Sequence, residues 1–362
     1  MPLGCDLLLQ ALAHPEIVAN LNPIDSDRLI RQARRAGLLA RIQTLIAERG
    51  IVDQIPTRVL AHLDSARIVA ENEQRIMRWE VNRICRALEG LDVPAILLKG
   101  AAYVMLELPV ARGRLSSDVD VLVPKAMLGE VEKALQQHGW EHVKLDDYDQ
   151  YFYRHWSHEL PPLRHRERGG VIDVHHTILP PTGRLHPDPD QLMAASVPLA
   201  GSKLRVLAPP DMVLHSAAHA FQDGDCQRVM RDLVDLDDLL RHFGSDPRFW
   251  ADLVTRAEQL DLTRPLFYSL RYAHGTLDTP IPDFASDAAK RWRPPWLACL
   301  IMDKLVNHAI VANSLPPKRL ADSFALWILY MRSHWLRMPP HLLLPHLFRK
   351  SLVRWRARKS AR

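Results

Sequence analysis

The sequence predicts an α+β protein: a small mixed β-sheet at residues 93–182, helical regions at 1–92 and 183–330, and a basic, aromatic-containing tail at 331–362. Three observations predict it. Apolar residues recur at helical spacing on both flanks. Between about residues 94 and 180 the pattern changes to short apolar runs divided by turns and one amphipathic stretch, as in a mixed sheet. At 362 residues and 47% apolar, the chain is long enough to bury two or three cores.

On the N-terminal flank, a turn at Asn22-Pro23 precedes a helix that Ser26 or Asp27 would cap. Its apolar positions, among them Leu29, Ile30, Ala33, Leu38, Ile42 and Ile46, mostly keep three- and four-residue spacing up to Gly50. A second helical stretch begins after Pro56 and is expected to break once before Gly90; its late face is Met77, Val81, Ile84 and Leu88. In the centre, "AILLKG" (95–100) reads as a buried strand and "AAYVMLEL" as a short helix starting at Gly100. "DVDVLV" (118–123) is a second strand, "KAMLGEVEKALQQHG" a helix closed by Gly139, and "WEHVKL" a third strand. "HELPPLRHR" and "VIDVHHTIL" flank a hairpin turn at Arg168-Gly169-Gly170. After the turn-rich "PPTGRLHPDPD", helices return in "APPDMVLHSAAHAF" and "RDLVDLDDLLRHFG", with later ones punctuated by Pro-Pro pairs at 294, 316 and 339.

One strand is chemically out of place. Side chains alternate along a strand, so Asp118 and Asp120 point the same way, with Cβ atoms roughly 6.5–7 Å apart. Two carboxylates held side by side repel unless a cation lies between them. A pair of Mg²⁺ ions is the natural cation, because hard oxygen ligands suit it and paired ions clamp the attacking and leaving oxygens of phosphoryl or nucleotidyl transfer. A neighbouring strand must complete such a site, and "VIDVHH" offers Asp173 among Val171, Ile172 and Val174. Taken singly, a D-x-D is commonly a solvated strand end and Asp173 a hairpin edge residue. In this order, behind a glycine turn and a short helix, the three acids read as one metal site.

The runs "LLKGAAYVML", "ARGRLSSDVDVLV" and "GGVIDVHHTIL" resemble the polymerase-β-type nucleotidyltransferase superfamily, and within it a bacterial branch of uncharacterised nucleotidyltransferase-family proteins. The resemblance covers roughly residues 95–180, and the helices beyond "HSAAHAF" also look like that branch. It implies a mixed-sheet palm, two Mg²⁺ ions on Asp118, Asp120 and Asp173, and transfer of a nucleoside monophosphate from ATP or another NTP to an acceptor hydroxyl. Where the superfamily's turn reads Gly followed by Gly or Ser, this chain has Lys99-Gly100-Ala101-Ala102, with 17 residues between Gly100 and Asp118. Ala101 brings no hydroxyl. Lys99, Gly100, Arg114 and Ser117 are the candidate phosphate contacts, with surface charge or a simple turn as the plain alternative. His175 shares a strand face with Asp173 and would orient that carboxylate, contact the nucleotide, or merely pack in the hairpin.

Other features exclude or narrow. Cys5, Cys85, Cys226 and Cys299 fit no metal-ligand or C-x-x-C spacing and read as reduced thiols. The N-terminus lacks the basic region of a signal peptide, and no run reaches the roughly 18 uncharged apolar residues of a transmembrane helix. His215 and His219 stand four apart, but Ser216 follows the first, so H-E-x-x-H is absent and a core or cleft role is expected. Asp232, Asp235, Asp237 and Asp238 read as the polar face of an amphipathic helix, from which Arg231 would reach a cleft. The net charge of +5 belongs to the tail: residues 331–362 hold nine Lys/Arg and no acid, leaving 38 basic against 42 acidic side chains elsewhere. That tail is an interfacial membrane segment, a nucleic-acid contact, or a docked helix with a basic end, the last being the default. The expectation is a cytoplasmic, Mg²⁺-dependent nucleotidyltransferase, peripheral contact at the inner membrane surface included, acting on a small molecule, glycan precursor, peptide or protein. Its rivals are a non-catalytic nucleotide-binding regulatory module and an RNA-end nucleotidyltransferase, the latter disfavoured by the acidic body.

Overall fold

Strand order, more than strand length, builds this molecule. The computed structural model describes residues 7–143, 146–222, 228–314, 320–345, 347 and 349. Seven strands form one mixed sheet: β1 (Ile96–Leu97), β2 (Asp118–Leu122), β3 (Trp140–His142), β4 (Leu163–His165), β5 (Val171–His175), β6 (Val197–Pro198) and β7 (Arg205–Val206). Their spatial order is β3-β4-β5-β2-β1-β7-β6. β2 runs parallel to β5 and antiparallel to β1, and β4 and β5 form the expected hairpin. The α+β class with a mixed sheet holds. The sheet is wider than the sequence indicated, because β6 and β7 are too short to leave a period-2 pattern. Of "WEHVKL", Lys144 and Leu145 lie outside the described residues, as do Cys5, Cys226 and residues 351–362.

The helices are α1 (Leu7–Ala13), α2 (Pro23–Ala36), α3 (Leu39–Glu48), α4 (Thr57–Ala87), α5 (Lys99–Met105), α6 (Leu128–Gln137), α7 (Asp147–Trp156), α8 (Pro189–Ala195), α9 (Pro209–Gln222), α10 (Val229–Phe243), α11 (Pro247–Gln259), α12 (Thr263–Leu277), α13 (Asp283–Arg291), α14 (Trp296–Ser314) and α15 (Leu320–Arg337). Two expectations on the N-terminal flank are corrected. The first helix is capped by Asn22, whose side chain accepts from the Ile24 and Asp25 amides, and it splits in two at Gly37, which takes the left-handed conformation. The second does not break at all: α4 runs 31 residues without Gly or Pro, so nothing in its backbone interrupts the hydrogen-bond ladder. Its buried face, with Leu63, Met77, Val81 and Ile84, packs on α3, α5, α6 and β2.

On the other side, α9 is buried on nearly every face and touches α10, α11, α12 and α15. Buried ion pairs hold this helical region to the rest. Arg114 Nε donates to Asp235 Oδ2 at 2.8 Å and Arg41 pairs with Asp238, while inside the helical region Arg256 of α11 grips Asp211 of α9 with two bonds of 2.9 Å. The aspartates of α10 are therefore not a solvated face: Asp232, Asp235 and Asp238 are buried, Asp235 and Asp238 turned toward Arg114 of the sheet region and Arg41 of α3, and Asp232 beside Arg231 and His219. Helix α15 crosses residue 330 unbroken, and its C-terminal carbonyls receive the Thr182 hydroxyl (2.8 Å, to Arg337) and the Arg184 amide (3.0 Å, to Leu336). Among the described residues no single helix is long and apolar enough to cross a membrane.

Candidate functional site

The alternation of β2 answers why it carries two acids. Val119 and Val121 enter the core with Ile172 and Val174 of β5, while Asp118 and Asp120 face a cleft of about 530 Å³. The parallel register sets Asp118 across from Val171, Asp120 across from Asp173, and Leu122 across from His175. All eight residues singled out in the sequence, Asp118, Asp120, Asp173, Lys99, Gly100, Arg114, Ser117 and His175, line this one cleft.

The two facing carboxylates differ sharply. Burial acts to raise the Asp120 carboxyl, but the Lys99 charge and a 2.9 Å hydrogen bond from His175 Nε2 hold it well below the usual carboxylate range. Burial pushes Asp173 the other way, up to about 7, helped by the charges of Glu159 and Asp120. Asp173 Oδ1 is buried without a hydrogen-bond partner. His175 is itself raised: burial lowers it, and the Asp120 hydrogen bond and Glu159 outweigh that. Three hard oxygen donors on one face, one of them orphaned, suit a divalent cation such as Mg²⁺.

Around them the turn and loop are tightly built. Lys99 heads α5 with φ +41°, a left-handed conformation that costs a residue with a Cβ on the order of 1 kcal/mol. Gly100 is needed for close approach: a Cβ there would lie 2.1 Å from Ser116 Oγ and 2.7 Å from Arg114 Nη1. Arg114 uses Nη1 on Ser116 Oγ (2.6 Å) and Nε on Asp235, and the Ser116 amide donates to Glu73 Oε2 at 2.9 Å. Arg114 thus ties the loop to α10, which raises its pKa against the effect of burial. Ser117 is exposed at the cleft rim.

Arg231, read from the sequence as reaching a cleft, and His215 and His219, read as core or cleft residues, are found in those places, and several other wall residues were missed. Arg231 of α10 and Arg228, just before that helix, both reach the cleft, and Arg231 Nε is buried without a partner. Burial lowers the Arg231 pKa, with Arg114 adding to the effect. Beneath it, burial pushes Asp232 up to about 7. His219 lines the cleft, while His215 is buried and kept neutral, first by desolvation and then by Lys99. Glu73 of α4, His158 and Glu159 also line the cleft, as do Tyr153 and Trp156 of α7 and Arg337 of α15. Of these wall residues, Arg231 had a signal in its place beside the α10 aspartates and His219 in its four-residue spacing from His215; the others had none.

A mixed sheet carrying three acids on adjacent parallel strands, at the floor of a cleft walled by Lys99 and Arg231, defines an α+β protein of the nucleotidyltransferase-like class. Residues 22–278 match the family described as "Uncharacterised nucleotidyltransferase", and the chain belongs to that family. No curated protein matches the chain significantly. Among solved structures, an antigenic nucleotidyltransferase-like protein from Paracoccidioides brasiliensis is similar over 58% of this chain and 95% of its own, at 14% identity and a TM-score of 0.31.

Proposed function

We propose that the cleft binds an NTP with Mg²⁺ and transfers the nucleoside monophosphate to an acceptor hydroxyl, in the manner of the polymerase-β-type superfamily. The observation that carries this reading is Asp120 facing Asp173 across two parallel strands, with Asp173 Oδ1 buried and unpartnered. Asp118, Asp120 and Asp173 would hold the cation, whose charge when bound would stabilise the phosphates and the departing pyrophosphate. The rest falls to the chain. Lys99 and Arg231 supply positive charge to the triphosphate, and α7 and the end of α15 wall off solvent. As the acceptor oxygen bonds to the α-phosphorus, the bond to the β-phosphate oxygen breaks and pyrophosphate leaves. The hydroxyl proton passes to water, and Asp173 Oδ1, buried and unpartnered in the metal-free chain, is the ligand atom offered to the cation.

One observation favours the non-catalytic, nucleotide-binding reading. Ala101 stands where a hydroxyl is usual, and Gly100 is packed against Ser116. Retained binding without turnover fits that arrangement. We place the protein in the cytoplasm, with any peripheral membrane or nucleic-acid contact made by its basic tail.

Calorimetry with each of the four NTPs, with and without Mg²⁺, tests the base of the proposal. Metal-dependent binding of at least one NTP is expected, lost in Asp118→Asn and Asp120→Asn variants that remain folded. Absence of metal-dependent binding to all four would remove it, and binding with no pyrophosphate release across a panel of acceptors would leave the regulatory reading.

A further inference from the structure

We propose a second metal site beside the first, in which His158, Glu159 and His175 bind a borderline divalent cation of the zinc class. The three residues offer two imidazole nitrogens and a carboxylate oxygen, all within 4.8 Å of one another. His175 Nδ1 lies 3.5 Å from Glu159 Oε2, and His158 Nε2 lies 4.0 Å from the same oxygen. Ligand atoms around tetrahedral zinc stand roughly 3.3–3.5 Å apart for the usual bond lengths, so the His175–Glu159 pair already has ligand spacing, the His158–Glu159 pair is about half an ångström wide of it, and no pair exceeds it by more than about 1.5 Å.

The orientation of His175 supplies a second, independent observation. Its Nε2 is 2.9 Å from Asp120 Oδ1, so this nitrogen carries the hydrogen and donates it to the carboxylate. In the neutral ring the lone pair then falls on Nδ1, which belongs to a side chain only 3% exposed and has no hydrogen-bond partner. That nitrogen points at the Glu159 carboxylate. Two electron-rich atoms do not face each other at 3.5 Å in a buried site unless a cation lies between them, either a proton or a metal ion. A carboxylate on the far nitrogen of a histidine is the common outer support of a metal ligand, and Asp120 is already in that position.

The backbone holds the ligands in place before any ion arrives. His176 donates its amide to His158 at 2.9 Å, Leu160 donates to Val174 at 2.8 Å, and Glu159 bridges to His175 in antiparallel fashion. The ligands therefore come from two chain segments kept in register by the sheet. Two imidazoles with one carboxylate favour zinc over magnesium, which prefers oxygen. This ligand set shares no residue with the three aspartates, but His175 links the two. An ion on Nδ1 would keep His175 in one tautomer and so position Asp120.

The experiment uses the full chain, stripped by a chelator and returned to excess Mg²⁺. Zn²⁺ is titrated by calorimetry, and Co²⁺ by its visible absorption. One ion per chain is expected, with affinity reduced about tenfold or more in Glu159→Gln and His158→Ala and unchanged in Asp118→Asn. His158→Asn replaces His158→Ala if thermal melts show the latter misfolded. Wild type that binds no Zn²⁺ would mean that a proton fills the position, and the proposal falls. Equal affinity in the Glu159 and His158 variants also overturns it, as does loss in Asp118→Asn, which would put the zinc on the aspartates. Mg²⁺·NTP binding is a separate readout in the same variants: its failure in wild type removes the nucleotide proposal and leaves the zinc result standing.

Discussion

Asp120 and Asp173 stand directly across from each other in the parallel pairing of β2 with β5, yet one is held ionised and the other is held near neutrality. The difference lies in their neighbours. Asp120 has Lys99 and the His175 hydrogen bond, while Asp173 has burial and three further carboxylates, Glu159, Asp120 and Asp118.

Asp173 should therefore make the metal-free protein less stable as pH rises. Its pKa moves from 3.8 to about 7 on folding. A group raised in the folded state contributes stability that is fully present below its unfolded value and lost as pH climbs through the folded one. Asp173→Asn removes that loss. In urea titrations with a chelator, the variant is expected to exceed wild type by on the order of 2 kcal/mol near pH 8, with the gain fading toward pH 4. A variant less stable than wild type across the range would show that the carboxylate is a structural partner and not a strained ligand.

Gly100→Ala tests the packing of the turn. In an open helix this change would stabilise by up to about 1 kcal/mol. Here the new methyl would meet Ser116 Oγ at 2.1 Å, and Ser116 is pinned by Arg114 and by Glu73. Overpacking costs typically 1–3 kcal/mol, so the net is a loss of roughly 1–2 kcal/mol. Removing the hydroxyl with Ser116→Ala in the same chain should recover part of it, measured as a coupling energy in a double-mutant cycle. Additive losses would mean that the loop moves away freely.

What could be read from the sequence, and what could not, divides along a physical line. β2 and β5 were legible because Val119, Val121, Ile172 and Val174 alternate with the acids, and the hairpin because Gly169 and Gly170 mark its turn. The Asn22 cap was missed by a few residues because Asn22, Ser26 and Asp27 all suit an N-terminus, and only the backbone decides among them. The α10 aspartates show a deeper limit. Their periodicity marks a polar stripe but not what it faces, and Arg114 is 121 residues away from Asp235. His158 and Glu159 were invisible for the same reason, since their meaning depends on lying along β5 beside His175.

The tail separates surface attraction from nucleotide binding. Residues 351–362 hold five Lys/Arg and no acid, so deleting them takes the formal net charge from +5 to zero. Helix α15, whose Arg337 lines the cleft, ends well before that segment and would remain. The deletion is therefore expected to leave Mg²⁺·NTP affinity nearly unchanged. Each Lys/Arg near an anionic membrane contributes about 1 kcal/mol, screened within a Debye length of roughly 8–10 Å at moderate salt. Wild type should thus sediment with anionic vesicles at low salt, release them as salt rises, and lose most of that association in the deletion. Vesicle binding that survives the deletion would move the contact to the exposed aromatics of α14 and α15, such as Trp296 and Trp327. A gel shift with RNA in place of vesicles, abolished by the deletion, would support the RNA-end reading. Loss of nucleotide binding in the deletion would mean that the segment belongs to the cleft, and the boundary between body and tail would lie beyond residue 350.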